Sequence, residues 1–158
     1  MSARSHREGL FSAVSAGLFF VLVGMLFVTT PALFEKIVTF FDNLQIVSVP
    51  HTSIQMPAPT TPRLHAEVYS AVWQFSLIWA LLQIGILVLR FLVGSQLEKK
   101  AETLSNVIFW LGSVFLIGRY LDYAATTATW FIFWTTILML LGVSLVARAT
   151  FLAFAKPR

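Results

Sequence analysis

The 158 residues are 58% hydrophobic and 11% charged, against about a quarter charged in an ordinary soluble domain, which excludes a conventional soluble fold and points to a bilayer. Eleven Lys and Arg against seven Asp and Glu leave a net charge of +4, yet the basic residues form no patch or aromatic-interleaved stripe of the kind that holds nucleic acid. There is no cysteine, so disulfides, thiolate metal sites and thiol redox chemistry are excluded together.

Four apolar stretches, residues 10–29, 69–94, 104–122 and 130–155, each approach or exceed the roughly 20 residues that a helix needs to cross a hydrocarbon core. They predict an all-α integral membrane protein: a single domain, 1–158, built as a four-transmembrane-helix bundle. The first stretch follows Arg4 and Arg7 as a secretory signal would, but its apolar run is longer than a signal core of about 7–15 residues and is read as an uncleaved helix. Its Ala13 and Gly17, four apart, form a small-xxx-small pair able to admit a close helix neighbour.

Residues 30–68 form the longest segment outside the spans. Thr30 is placed to cap and Pro31 to open a helix in which Leu33, Phe34, Ile37, Val38, Phe40, Phe41 and Leu44 recur at helical spacing. Glu35, Lys36, Thr39, Asp42 and Asn43 take the other side, so this element reads as an interfacial amphipathic helix. Its face of Phe34, Ile37, Val38 and Phe41 is the candidate surface for docking a protein partner. Residues 45–49 alternate as a strand would, with 53–56 as hairpin partner across Pro50, His51 and Thr52, while Pro57, Pro59 and Pro62 suggest an extended connector.

The second and third spans are joined by a charged, helix-favouring link at 95–103, and the third and fourth by the brief segment 123–129. With the N-terminus in the cytoplasm, Arg4, Arg7, Arg90, Lys99, Lys100, Arg148, Lys156 and Arg158 fall inside, and Lys36, Arg63 and Arg119 outside. That asymmetry follows the positive-inside rule and puts both termini in the cytoplasm of a multi-pass protein, in the cell membrane. Tyr69, Trp73, Tyr120, Tyr123, Trp130 and Trp134 then gather at the outer ends as an aromatic belt, with Trp79 and Trp110 deeper.

Chemistry-bearing residues are few. His51, His65 and Glu67 are the nearest approach to a metal fragment, but two or three separated ligands without a motif assign no metal, and no cofactor or catalytic group is expected. Arg90 and Arg148 read as anchors that snorkel to headgroups. Arg119 and Asp122, three apart, are expected to share a helical face and form a polar cluster with Glu67 that fastens the outer loop. Within the spans, Ser76 and Gln83 share a stripe with Arg90, and with Gln74, Asn106, Ser113, Thr135, Thr136 and Ser144 they are candidates for bonds between helices.

Small multidrug exporters share the helix count but place a Glu in the first span, and claudin-like proteins carry paired loop cysteines; this chain has neither, so it resembles no family by motif. The expectation is a non-catalytic structural, assembly or accessory subunit of a larger membrane complex, in contact with the lipid bilayer and with a membrane-protein partner or copies of itself. An oligomeric channel or small transporter is the alternative, and a metal-dependent or redox accessory protein the third reading.

Overall fold

The computed structural model describes residues 3–50 and 52–155. In chain order it contains α1 (Ala3–Thr29), α2 (Leu33–Asp42), β1 (Leu44–Ser48), β2 (Gln55–Pro59), a 3-10 turn (Pro62–His65), α3 (Ala66–Leu92), α4 (Leu97–Tyr120) and α5 (Thr127–Ala155). The chain is mostly helical, and four of its helices are long and apolar enough to cross a membrane. The end of these helices that carries α2 and the strands is here the cap end; the opposite end carries the α3–α4 loop.

Helix starts and stops differ from the apolar limits for local reasons. Arg90, Phe91 and Leu92 end α3 in a Schellman motif: Ser95 N–H donates to Arg90 O at 3.0 Å and Gly94 N–H to Phe91 O at 3.3 Å. Gly94 supplies the left-handed φ of 66° that this closure requires. The charged link then enters α4 almost at once, so α4 begins at Leu97, seven residues before its apolar stretch. Thr30 does not cap α2. Its amide donates to Leu26 O and finishes α1, so α2 starts after Ala32, which adopts φ 55° and offers no side-chain cap.

The helices do not close into a bundle. Backbone approach runs in a row, α1 to α3, α3 to α4 and α4 to α5; among the described residues α1 approaches α4 and α5 little, and α3 meets α5 at the cap end, where Tyr69 packs on Trp130. Burial follows the row: 33% and 39% of the most apolar windows of α3 and α4 are covered, against 6% in each of α1 and α5. A flanking helix that is apolar all round has no single face that must be buried in protein. It docks where small residues allow close approach. Leu140 of α5 seats over Gly112, so closely that an added Cβ would fall 2.5 Å from Leu140 Cδ1, and Ser105 donates to Ser144 O at 2.8 Å across the same α4–α5 contact.

On the other side, Phe19 of α1 meets Phe75 and Trp79 of α3 edge to face at 5.6 Å, and Phe75 meets Trp110 of α4 at 5.7 Å. Such aromatic contacts contribute about 0.5–1.5 kcal/mol each beyond their buried area. Trp79 and Trp110 are therefore packing residues between helices, as their depth in the sequence suggested. Ala13 and Gly17 take no part: Ala13 is exposed and nothing approaches the position of a Gly17 Cβ.

Most polar groups in the spans bond within their own helix. Ser76 donates to Val72 O, Ser113 to Phe109 O, Thr135 to Phe131 O and Thr136 to Ile132 O, each four residues back. Asn106 is exposed. The expected glue between helices thus reduces to the Ser105–Ser144 bond and to Arg90, whose Nη1 donates to Lys99 O of α4 at 2.7 Å.

Candidate functional site

The cap is the one substantial structure beyond the helix ends, and it is built around a strand pairing that includes two prolines. β1 and β2 are antiparallel, with Leu44 opposite Pro59, Ile46 opposite Pro57 and Val47 opposite Met56. The second strand lies two residues later than expected and takes in Pro57 and Pro59 rather than ending before them. Proline has no N–H to give a ladder. Val49 N–H bonds to Ile54 O and Thr60 N–H to Asn43 O, so by alternation the hydrogen-bonded pairs are Gln45–Ala58 and Val47–Met56. Both prolines therefore fall at positions whose nitrogens face the outer edge, where a two-stranded ribbon tolerates them.

The same alternation turns the Pro57 carbonyl outward, where the Trp130 indole donates to it at 3.2 Å. Trp130 is 94% buried, in contact with Tyr69 at 6.2 Å, Phe40 at 5.8 Å and Phe133 at 6.5 Å. With Ala58, Leu116, Ile117, Leu121 and Phe131 these residues form the main core of the protein. Tyr69 and Trp130 are thus interior residues under the cap rather than members of an interfacial belt; Tyr123 and Trp134 remain at the surface. The Tyr69 hydroxyl is buried without a hydrogen-bond partner among the described residues.

Asn43, the residue that ends α2, is the second fastener. Its Oδ1 accepts the Thr61 N–H at 3.2 Å, which identifies that atom as the oxygen, so His65 Nε2 at 3.1 Å must carry the hydrogen and donate. His65 is buried and meets Phe40 edge to face at 5.2 Å. Its imidazole is engaged in holding α2 to the start of α3. Glu67 lies in the first turn of α3 and pairs with Lys36, so His65 and Glu67 do not project together from an extended segment as a metal fragment would. Among the described residues no group of three possible metal ligands comes together, and His51 lies outside those residues.

The expected cluster of Glu67, Arg119 and Asp122 is not formed. Leu121, at φ −118° and ψ 74°, leaves the helix, so α4 ends at Tyr120 and Asp122 no longer shares a helical face with Arg119. Asp122 Oδ1 accepts the Ala124 N–H at 2.9 Å, a local Asx turn that competes well with a distant cation. Arg119 lies over the Tyr120 ring, 5.7 Å from its centroid. Lys36 is the partner of Glu67 instead. No local spacing links these two residues; only the docking of α2 brings them together.

Consequently Glu67→Gln and Asp122→Asn are expected to act independently. Thermal unfolding in detergent should show their losses adding, as for sites with no shared partner, whereas Glu67→Gln and Lys36→Met should couple by about 0.2–1 kcal/mol, the range for exposed ion pairs. Coupling of Glu67 to Asp122 as large as that to Lys36 would contradict this geometry.

α2 has three distinct sides. Leu33, Lys36 and Phe40 face the helices; Glu35, Thr39 and Asp42 form a polar edge; Phe34, Val38 and Phe41 form an apolar side that is 68%, 43% and 63% exposed, with Ile37 half-buried at its margin. The face proposed from periodicity is therefore open, apart from Ile37. Two cavities adjoin the Lys36–Glu67 pair: a mainly apolar one of about 310 Å³ beside Thr39, Asn43 and His65, and a more polar one of about 300 Å³ bounded by Thr29, Ser70, Gln74 and Tyr123.

At the loop end Lys99 bonds Glu102 at 2.9 Å and Arg148 approaches Glu98 at 3.8 Å. Arg90 is buried, with its guanidinium 5.9 Å from the centroid of the Phe11 ring. Arg90 thus joins α3 to α4 and α1, a tighter role than the snorkelling anchor expected of it. No protein-family model, curated protein or solved structure matches the chain. The site's meaning therefore rests on its geometry.

Proposed function

We propose that this protein is a non-catalytic, multi-pass membrane subunit that contributes helix faces and its cap to a larger membrane assembly. The observation that carries this reading is the open flanks: only 6% of the residues in the most apolar window of each of α1 and α5 are buried. Glycines on both flanks have nothing within 4 Å of a Cβ position, at Gly9, Gly17 and Gly24 of α1 and Gly142 of α5. Small residues facing outward on spanning helices permit close helix partners, which van der Waals packing and lipid release then hold. The open side of α2, Phe34, Val38 and Phe41, extends this uncovered surface at the cap end. Its neighbouring charges, Glu35, Lys36 and Asp42, are nearly balanced, which suits protein better than an anionic lipid surface that recruits a basic face.

Extraction in mild detergent followed by mass measurement tests the proposal: a stoichiometric membrane-protein partner supports it. A lone monomer sinks it, and a homo-oligomer with a hydrated centre would favour the channel reading.

The orientation belongs to the same proposal, with the loop end and both termini in the cytoplasm and the cap outside. Arg90, Lys99, Lys100 and Arg148 lie at the loop end, and Lys36, Arg63 and Arg119 at the cap end. Because the chain has no cysteine, single introduced cysteines report without background. Thr60→Cys and Thr127→Cys should react with an impermeant thiol reagent on intact cells, while Gln96→Cys and Ser2→Cys should be shielded; the reverse pattern inverts the protein.

A further inference from the structure

The more polar of the two cavities beside the Lys36–Glu67 pair lies where the apolar parts of α1 and α3 give way to polar chain. Its walls are the last turn of α1 at Thr29, the start of α2 at Lys36 and the first turns of α3 at Glu67, Ser70 and Gln74, with Tyr123 from the α4–α5 link. Among the described residues the side chains of Ser70, Gln74 and Tyr123 make no hydrogen bond to protein, and none of them has an unstated partner. Three uncharged hydrogen-bonding groups thus converge on a space already edged by one cation and one anion. Lys36 pairs with Oε2 of Glu67, which leaves Oε1 and two ammonium hydrogens for a ligand.

We infer that this cavity binds the headgroup of a zwitterionic phospholipid carrying a primary ammonium. The charge pattern selects it: a simple anion placed here would meet Glu67 and a simple cation would meet Lys36, whereas a zwitterion sets its phosphate on Lys36 and its ammonium on Glu67 in an alternating ring. Ser70, Gln74 and Tyr123 then serve the phosphate and glycerol oxygens. Lipid is favoured over a soluble zwitterion by position, because the cavity sits at the ends of two apolar helices. Exposed Val28, next in sequence to Thr29 of the wall, offers apolar surface for an acyl chain. This inference assumes that α1 and α3 span a bilayer but not that the protein has a partner.

The test is native mass spectrometry of detergent-purified, delipidated protein titrated with phosphatidylethanolamine, phosphatidylcholine or phosphatidylglycerol. One phosphatidylethanolamine should be retained about tenfold more tightly than either of the others, the worth of one charge-assisted hydrogen bond set that the quaternary or absent ammonium cannot make. Glu67→Gln should bring phosphatidylethanolamine and phosphatidylcholine to within about twofold of each other. Lys36→Met should weaken both. Tyr123→Phe removes only an exposed hydroxyl without a protein partner, so a several-fold weaker retention at an unchanged unfolding temperature separates binding from loss of structure. Equal retention of the three lipids, or Glu67→Gln leaving the preference intact, overturns the inference. Displacement by equimolar glycerophosphoethanolamine would overturn the lipid source and make the ligand a soluble zwitterion.

Discussion

Replacing Trp130 with alanine is expected to release the cap from the helices and cost about 3–5 kcal/mol, the usual range for emptying a buried aromatic site. The indole fills the space among Tyr69, Phe40 and Phe133, and its N–H holds the Pro57 carbonyl. Loss of the ring removes both the packing of β2 on α5 and the bond from α5 to the outward edge of that strand. Trp130→Phe keeps most of the packing and forfeits the bond, so it should cost nearer 1 kcal/mol. Thermal unfolding in detergent gives the magnitudes, and limited proteolysis between β1 and β2 tells whether the cap has come away. Equal losses from Ala and Phe would mean that the hydrogen bond, not the ring, holds the cap.

The second large effect is on association rather than stability. Phe34→Ser with Phe41→Ser should abolish co-purification of a membrane partner while leaving the fold intact, since both side chains are mostly exposed and touch little of their own protein. Truncating aromatic anchors at the centre of an interface commonly costs about 2 kcal/mol or more each. By contrast Phe40→Ser, three-sided in its contacts with His65, Tyr69 and Trp130, should unfold the cap. A partner that stays bound to the Phe34 and Phe41 double variant would remove α2 from the interface and leave the flanks of α1 and α5 to carry it.

Length and hydropathy were enough to find all four long helices, because a span needs only a run of apolar residues and no knowledge of its neighbours. Periodicity likewise found α2 and separated its aromatic side from its charged edge. Alternation found β1, but the prolines hid the extent of β2. A proline excludes a strand only if its nitrogen faces the partner strand, and which way it faces depends on register.

The polar contacts were the least readable. Asn43 with His65 and Lys36 with Glu67 join residues separated by most of the cap, so no helical or strand spacing marks them. Conversely Arg119 and Asp122 had the right spacing, but the helix stopped between them and Asp122 bonded its own turn. The sequence determined which segments are long and apolar enough to cross a membrane, because that is a property of each segment's own surface. Only the tertiary structure decided that the four helices stand in a row instead of a ring, that Tyr69 and Trp130 lie inside, and that Lys36 faces Glu67, because these depend on where small residues let helices approach and on how the cap settles over their ends.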